Sequence, residues 1–190
     1  MPNPWDVPPF PTEGDKLQDT TFASVGRALT AWEGFEVQLA NLFAAICGAG
    51  DDTLSAVRAY GSVISFKGRS AMVKAAAVAY FHRFPNDKLA AALTSLLNDA
   101  NKFSARRNEV AHGVVLFLRS APDSGFALQP AIYASSKNLL VGGPQYNILQ
   151  EQYAYSSKEI EFFTGQFLAL IPRVRELWEP IYKARRPSLS

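Results

Sequence analysis

Cysteine occurs once in these 190 residues, at Cys47, and histidine twice, at His82 and His112. A single thiol excludes an internal disulfide framework, and so few thiols and imidazoles leave a structural zinc site without ligands, so no metal is expected. Neither sign of charge dominates, with 19 Lys and Arg against 17 Asp and Glu for a net charge of +2. That balance excludes a chain that binds polyanions over its whole surface and confines any such site to a local patch. No stretch of about 18 uncharged apolar residues occurs, and the N-terminus has no basic start followed by an apolar core. The expectation is a soluble cytoplasmic protein that does not meet a membrane. Also missing are a glycine-rich phosphate loop, G-x-S-x-G, H-E-x-x-H and C-x-x-C, and nothing present calls for a cofactor.

What is abundant is apolar material, 48% of the residues, with 12% aromatic. A chain of this length buries roughly 70% of its unfolded surface, enough for one compact domain without covalent staples. Five of the 12 prolines fall within the first eleven residues, and proline's fixed φ and missing N–H make residues 1–18 an extended arm. Residues 19–183 are expected to form the domain, and 184–190 a basic tail.

Apolar residues spaced by three and four predict a long helix from Thr21 to about Cys47, with Phe22, Val25, Leu29, Trp32, Leu39, Phe43 and Ile46 on its inner stripe. Glu36 sits in that stripe, where an unpaired carboxylate would be costly, so it is expected to have a buried partner. Asp51 and Asp52 can cap a shorter helix to about Val63 with Leu54, Val57 and Ile64 inward, and a third helix is expected over Ser70 to His82. His82, among aromatics, reads as a packed residue. After Pro85-Asn86-Asp87 a fourth helix has the stripe Leu89, Leu93, Leu96, Ala100, Phe103, position 107 and Val110. Position 107 is Arg107, a charge opposite to Glu36 on another helix, and a buried pair between them is one way to accommodate both.

Gly113 is read as the residue that ends this helix, and Val114 to Leu118 as a strand. Phe126 to Tyr133 and Asn138 to Val141 are expected to add two more, making a small antiparallel insertion over about 114–150. Ser156 with Glu159 three residues on is a capping-box pattern, and Ile160, Phe163, Phe167, Leu170, Val174, Leu177 and Ile181 mark a final helix in which Pro172 is expected to introduce a kink. The fold class is therefore mostly α, an up-and-down helical bundle with a small antiparallel β insertion before the last helix.

The segment carrying chemistry is Arg106-Arg107-Asn108-Glu109-Val110-Ala111-His112. Histidine suits proton transfer near neutral pH, and the arginine fork suits a phosphate. At about 100° per residue Arg107 and His112 lie about 140° apart, whereas Asn108 and His112 share one face. Arg107 can thus look inward toward Glu36 while Asn108 and His112 look outward. Between residues 100 and 122 the cations Lys102, Arg106, Arg107 and Arg119 are opposed only by Glu109, a modest local field for phosphate in which Lys102 and Arg106 are candidate contacts.

Arg107-Asn108-Glu109-Val110-Ala111-His112, with Gly113 following, resembles the R-x4-6-H motif of HEPN (higher eukaryotes and prokaryotes nucleotide-binding) domains. Trp32 to Leu39 is similar to their first long helix, and the resemblance spans Thr21 to Gly113 and the helix from Ser156. It implies a bundle that dimerises so that two motifs face a shared cleft, and often a metal-independent endoribonuclease of a toxin-antitoxin or anti-phage system. In that chemistry an RNA 2′-OH attacks the adjacent phosphate, His112 moves protons, Arg107 holds phosphate charge, and Asn108 orients one or the other. RNA, a second copy of the chain and an antitoxin are the implied partners. Glu36 is expected to support the site from behind. The alternative is a non-catalytic HEPN-like module for dimerisation, nucleotide binding or partner binding.

Overall fold

The computed structural model describes residues 3–8, 11–50, 53–118, 124–130 and 153–185. Among them 74% are helical, in five helices: α1 (Gln18–Cys47), α2 (Thr53–Ser62), α3 (Phe66–Arg83), α4 (Asp87–His112) and α5 (Ser157–Arg185). Two strands, β1 (Val114–Leu118) and β2 (Gly125–Gln129), pair antiparallel before the last helix, with Val114 opposite Gln129 and Leu118 opposite Gly125. This is the mostly helical chain with a small antiparallel insertion that the sequence predicts. The capping role of Asp51 and Asp52, the turn at 121–123, the expected strand at 138–141, Arg119 and the end of the basic tail lie outside the described residues.

The chain divides into two compact units. Unit one comprises Met1–Thr30 and Ala105–Gly165; unit two comprises Ala31–Ser104 and Gln166–Ser190. Unit two is built on aromatic packing. Trp32 is fully buried and meets Phe35, Phe66 and Phe167 edge-on, with ring centroids 5.3, 4.9 and 5.2 Å away. Such edge contacts set the quadrupole edge of one ring against the face of the next. Leu39, Leu42, Ile46, Leu93 and Leu96 complete this core. The third helix begins earlier than expected because Ser65 caps it, its hydroxyl accepting from the Gly68 N–H. Asn86 caps α4 in the same way, accepting from the Leu89 N–H at 3.1 Å.

In unit one, β2 is the middle of a small platform. One of its edges pairs with β1, and its Phe126 and Leu128 form isolated bridges with Asp15 and Tyr155. Asp15 then spends its carboxylate on two helix starts: Oδ2 accepts from the Thr21 hydroxyl at 2.6 Å and the Ser157 N–H at 2.9 Å, and Oδ1 from the Ser157 hydroxyl at 2.6 Å. The expected Ser156 and Glu159 box is present in its reciprocal half, with Glu159 accepting from the Ser156 N–H at 2.8 Å.

Several inward assignments are corrected. Phe22 is 50% exposed, and the first turns of α1 bury Thr21 and Ser24 instead. The inner face there is polar because Asp15 docks on it, so the apolar stripe starts one phase late. Leu54 and Ile64 are exposed, and so is His82, which stands in the last turn of α3. The helix dipole favours a basic side chain there whether or not it is packed. Helix α5 runs without interruption through Pro172 and Pro180.

Candidate functional site

The end of α4 belongs to unit one, and its charged residues separate into two groups by what they touch. Glu109 faces the platform. Its Oε1 accepts from Arg106 Nη2 at 2.9 Å and from the Tyr153 hydroxyl at 3.0 Å, and its Oε2 from the Tyr155 hydroxyl at 2.5 Å. Arg106 also donates from Nη1 to the Tyr155 hydroxyl at 3.3 Å. The Arg106 side chain is only 11% exposed, and its buried Nε has no hydrogen-bond partner. Burial pushes the Tyr153 phenol up to about 12, with the Glu109 charge and hydrogen bond adding to the effect. The same causes, in the same order, raise Tyr155 further. A phenol donating to a carboxylate cannot ionise without setting two negative charges side by side.

The second group faces solvent. Asn108 and His112, one turn apart, are both exposed. Arg107 is half-buried and donates from Nη1 to Asn108 Oδ1 at 3.0 Å. This guanidinium therefore orients the Asn108 amide, leaving the amide NH2 as a donor on the face that His112 shares. Such an edge offers what a phosphodiester needs: a hydrogen-bond donor, a cation behind it and a titratable imidazole.

Gly113 follows His112, and its role differs from the one read in the sequence. Positive φ among the described glycines occurs at Gly48 and Gly50, not here. A Cβ on Gly113 would stand 2.7 Å from Leu128 Cγ and 3.0 Å from the Gln129 carbonyl oxygen. Glycine is required because β2 passes against the helix end. Leu128 is in turn bonded to Tyr155 through both backbone groups, at 2.8 and 2.9 Å. A continuous set of contacts thus runs from Glu109 through Tyr155 and Leu128 to Gly113, and fixes the position of the helix end.

Glu36 and Lys102 belong to unit two. Glu36 is 3% exposed and has the buried partner expected of it: Arg69 Nη1 donates to Oε2 at 2.5 Å, with Trp32 Nε1 donating to Oε1 at 2.8 Å and the Tyr60 hydroxyl to Oε2 at 3.2 Å. Arg69 and Tyr60 lie outside the apolar stripes of the sequence, so spacing alone gives no sign of them. Lys102 is half-exposed and lies 3.9 Å from Asp99. Tyr153 and Tyr155 fall on no helical stripe; the sequence signal they do carry is their alternation just before a capping box, the pattern of an extended segment with both rings on one face.

Among the described residues no three His, Cys, Asp or Glu side chains converge as metal ligands would, and no described helix is long and apolar enough to cross a membrane. No family model, curated protein or solved structure matches the chain.

Proposed function

We propose that this protein is a metal-independent endoribonuclease of the HEPN type, acting at the end of α4 in a homodimer. The observation that carries this reading is the exposed face shared by Asn108 and His112, with Arg107 bonded to Asn108 behind it. The RNA 2′-oxygen attacks the adjacent phosphorus as His112 takes its proton. The bond to the 5′-oxygen breaks as that oxygen is protonated, and the products are a 2′,3′-cyclic phosphate and a 5′-hydroxyl. Arg107 and the Asn108 amide stabilise the charge gathered on the phosphate oxygens. A second copy brings a second His112 for the other proton transfer. The exposed Val114, Leu116 and Phe117, which follow the motif directly, supply an apolar surface for that second copy. Glu109 would repel phosphate if free, but it is held by Arg106 and two tyrosines. Setting such an RNase within a toxin-antitoxin or anti-phage system, with an antitoxin as partner, rests on the motif resemblance alone.

The test is cleavage of RNA by the purified chain in excess EDTA, beside His112→Ala and Arg107→Ala, with the oligomeric state measured on the same samples. Each variant is expected to lose at least about a hundredfold in rate, the scale of one lost proton-transfer or charge-stabilising group. Folded, dimeric variants that cleave at the wild-type rate would overturn the reading. A dimeric wild type that cleaves no RNA favours the non-catalytic module, whose self-association the apolar residues of β1 equally support.

A further inference from the structure

Helices α3 and α4 form a cleft of about 350 Å³ within unit two, at the small end of the roughly 300–1,000 Å³ usual for ligand sites. Apolar Ala71 and Leu97 line it beside polar groups from both helices. Among the described residues of its lining there is no carboxylate and no aromatic ring.

Its cations come from α3. Lys67 and Lys74 are seven residues apart, so two helical turns root both on one side of the helix, about 10 Å from each other. Both are exposed, and neither has a carboxylate partner among the described residues. Ser70, between them in sequence, is 4% exposed and also lines the cleft. Its hydroxyl oxygen accepts from Asn101 Nδ2 at 2.8 Å, and no described group accepts its proton. A buried donor in that position is unfavourable until an acceptor meets it. Asn101 Nδ2 also donates to the Leu97 carbonyl at 2.8 Å, which uses both amide protons and leaves Oδ1 as the acceptor that Asn101 still offers. One hydroxyl group answers both residues, because it can accept from Ser70 and donate to Asn101.

We infer that the α3–α4 cleft binds a small aliphatic hydroxy acid with two carboxylates, its ends drawn to Lys67 and Lys74 and its hydroxyl set between Ser70 and Asn101. Two cations rooted apart match two separate anionic groups better than one compact anion. The lining gives a nucleic-acid base no described ring to stack on. All these residues belong to unit two, whereas Arg107, Asn108 and His112 belong to unit one. The inference therefore stands apart from the ribonuclease reading.

Calorimetric titration of the full chain with malate, tartrate and citrate tests it without reference to cleavage. Each acid is run beside a parent without the hydroxyl (succinate for the first two, tricarballylate for the third) and beside inorganic phosphate. At least one hydroxy acid is expected to bind about tenfold more tightly than its parent and than phosphate, the scale of one buried hydrogen-bonding group satisfied. Lys67→Ala and Lys74→Ala, both at exposed positions, should each weaken that binding by about tenfold with the circular dichroism unchanged. Ser70→Ala should bring the hydroxy acid down to its parent and leave the parent's affinity as it was, a result that general loosening of the fold would not give. The proposal is overturned if none of the three acids binds, if parent or phosphate binds as tightly, or if both lysine variants bind like the wild type. It is also overturned if a single-stranded RNA oligonucleotide binds more tightly than every acid and loses that binding in both lysine variants, which would make the cleft a track for the phosphate backbone.

Discussion

Glu36 receives hydrogen bonds from side chains 4, 24 and 33 positions away in the sequence. Such a group fixes register as well as adding stability, because a buried carboxylate without these donors would be strongly unfavourable. Glu36→Ala leaves Arg69 and the Tyr60 hydroxyl without their acceptor, and a loss of about 3 kcal/mol in urea unfolding is expected. Glu36→Gln removes the charge but keeps one acceptor oxygen, so its loss should be smaller. The Tyr153, Tyr155 and Glu109 cluster gives a pH dependence with a defined sign. Tyr153 titrates near 10 in the unfolded chain and about 12 in the folded protein, so between those values the unfolded state holds fewer protons. Stability should therefore fall as pH rises through that window. Urea midpoints measured at rising pH, with phenolate absorbance followed on the same samples, check this; Glu109→Gln should flatten the fall by removing the carboxylate that opposes ionisation.

At the scale of elements, the helix end that carries His112 is positioned by the small sheet. In Gly113→Ala the new methyl group meets Leu128, and overpacking of this kind costs about 1–3 kcal/mol. Thermal unfolding should show that loss. RNA cleavage should fall more than stability explains, because the helix end moves relative to β2. Much of this architecture was legible in the sequence. β1 begins and ends where the apolar run does, α4 follows its stripe from Leu93 to Val110, and Asn108 and His112 face outward as their spacing requires. What was not legible depends on partners far along the chain. Nothing near Asp15 announces that it will dock on the first turn of α1 and the start of α5, so spacing alone turns Phe22 inward where the structure exposes it. Glu109 looked like a counter-charge to neighbouring arginines; its tyrosine partners lie 44 and 46 residues further on. Periodicity reports which face of an element is apolar and says nothing of which polar groups will meet across a fold.

At the scale of the molecule, neither unit is a continuous stretch of chain. Unit two draws Phe167, Leu170, Val174, Leu177 and Ile181 of its core from α5, so residues 1–104 contain most of its sequence but an incomplete core. That fragment is expected to keep helical circular dichroism and to lose a cooperative urea transition, whereas the full chain unfolds with a sharp one. Adding a peptide of residues 157–185 in trans should restore cooperativity if the missing α5 face is the cause.

The Asp15 carboxylate gives the same interleaving a kinetic form. It bonds to Ser157, 142 positions along the chain, and the intervening sequence must be in place before that cap can close. Helices α1 to α4 can form early from local contacts, but the cap that starts α5 waits on one of the longest loops the molecule closes. During synthesis from the N-terminus the polypeptide must remain unfinished, with the docking face of α1 open, until residue 157 has emerged. A chaperone that shields apolar surface has its longest opportunity in that interval.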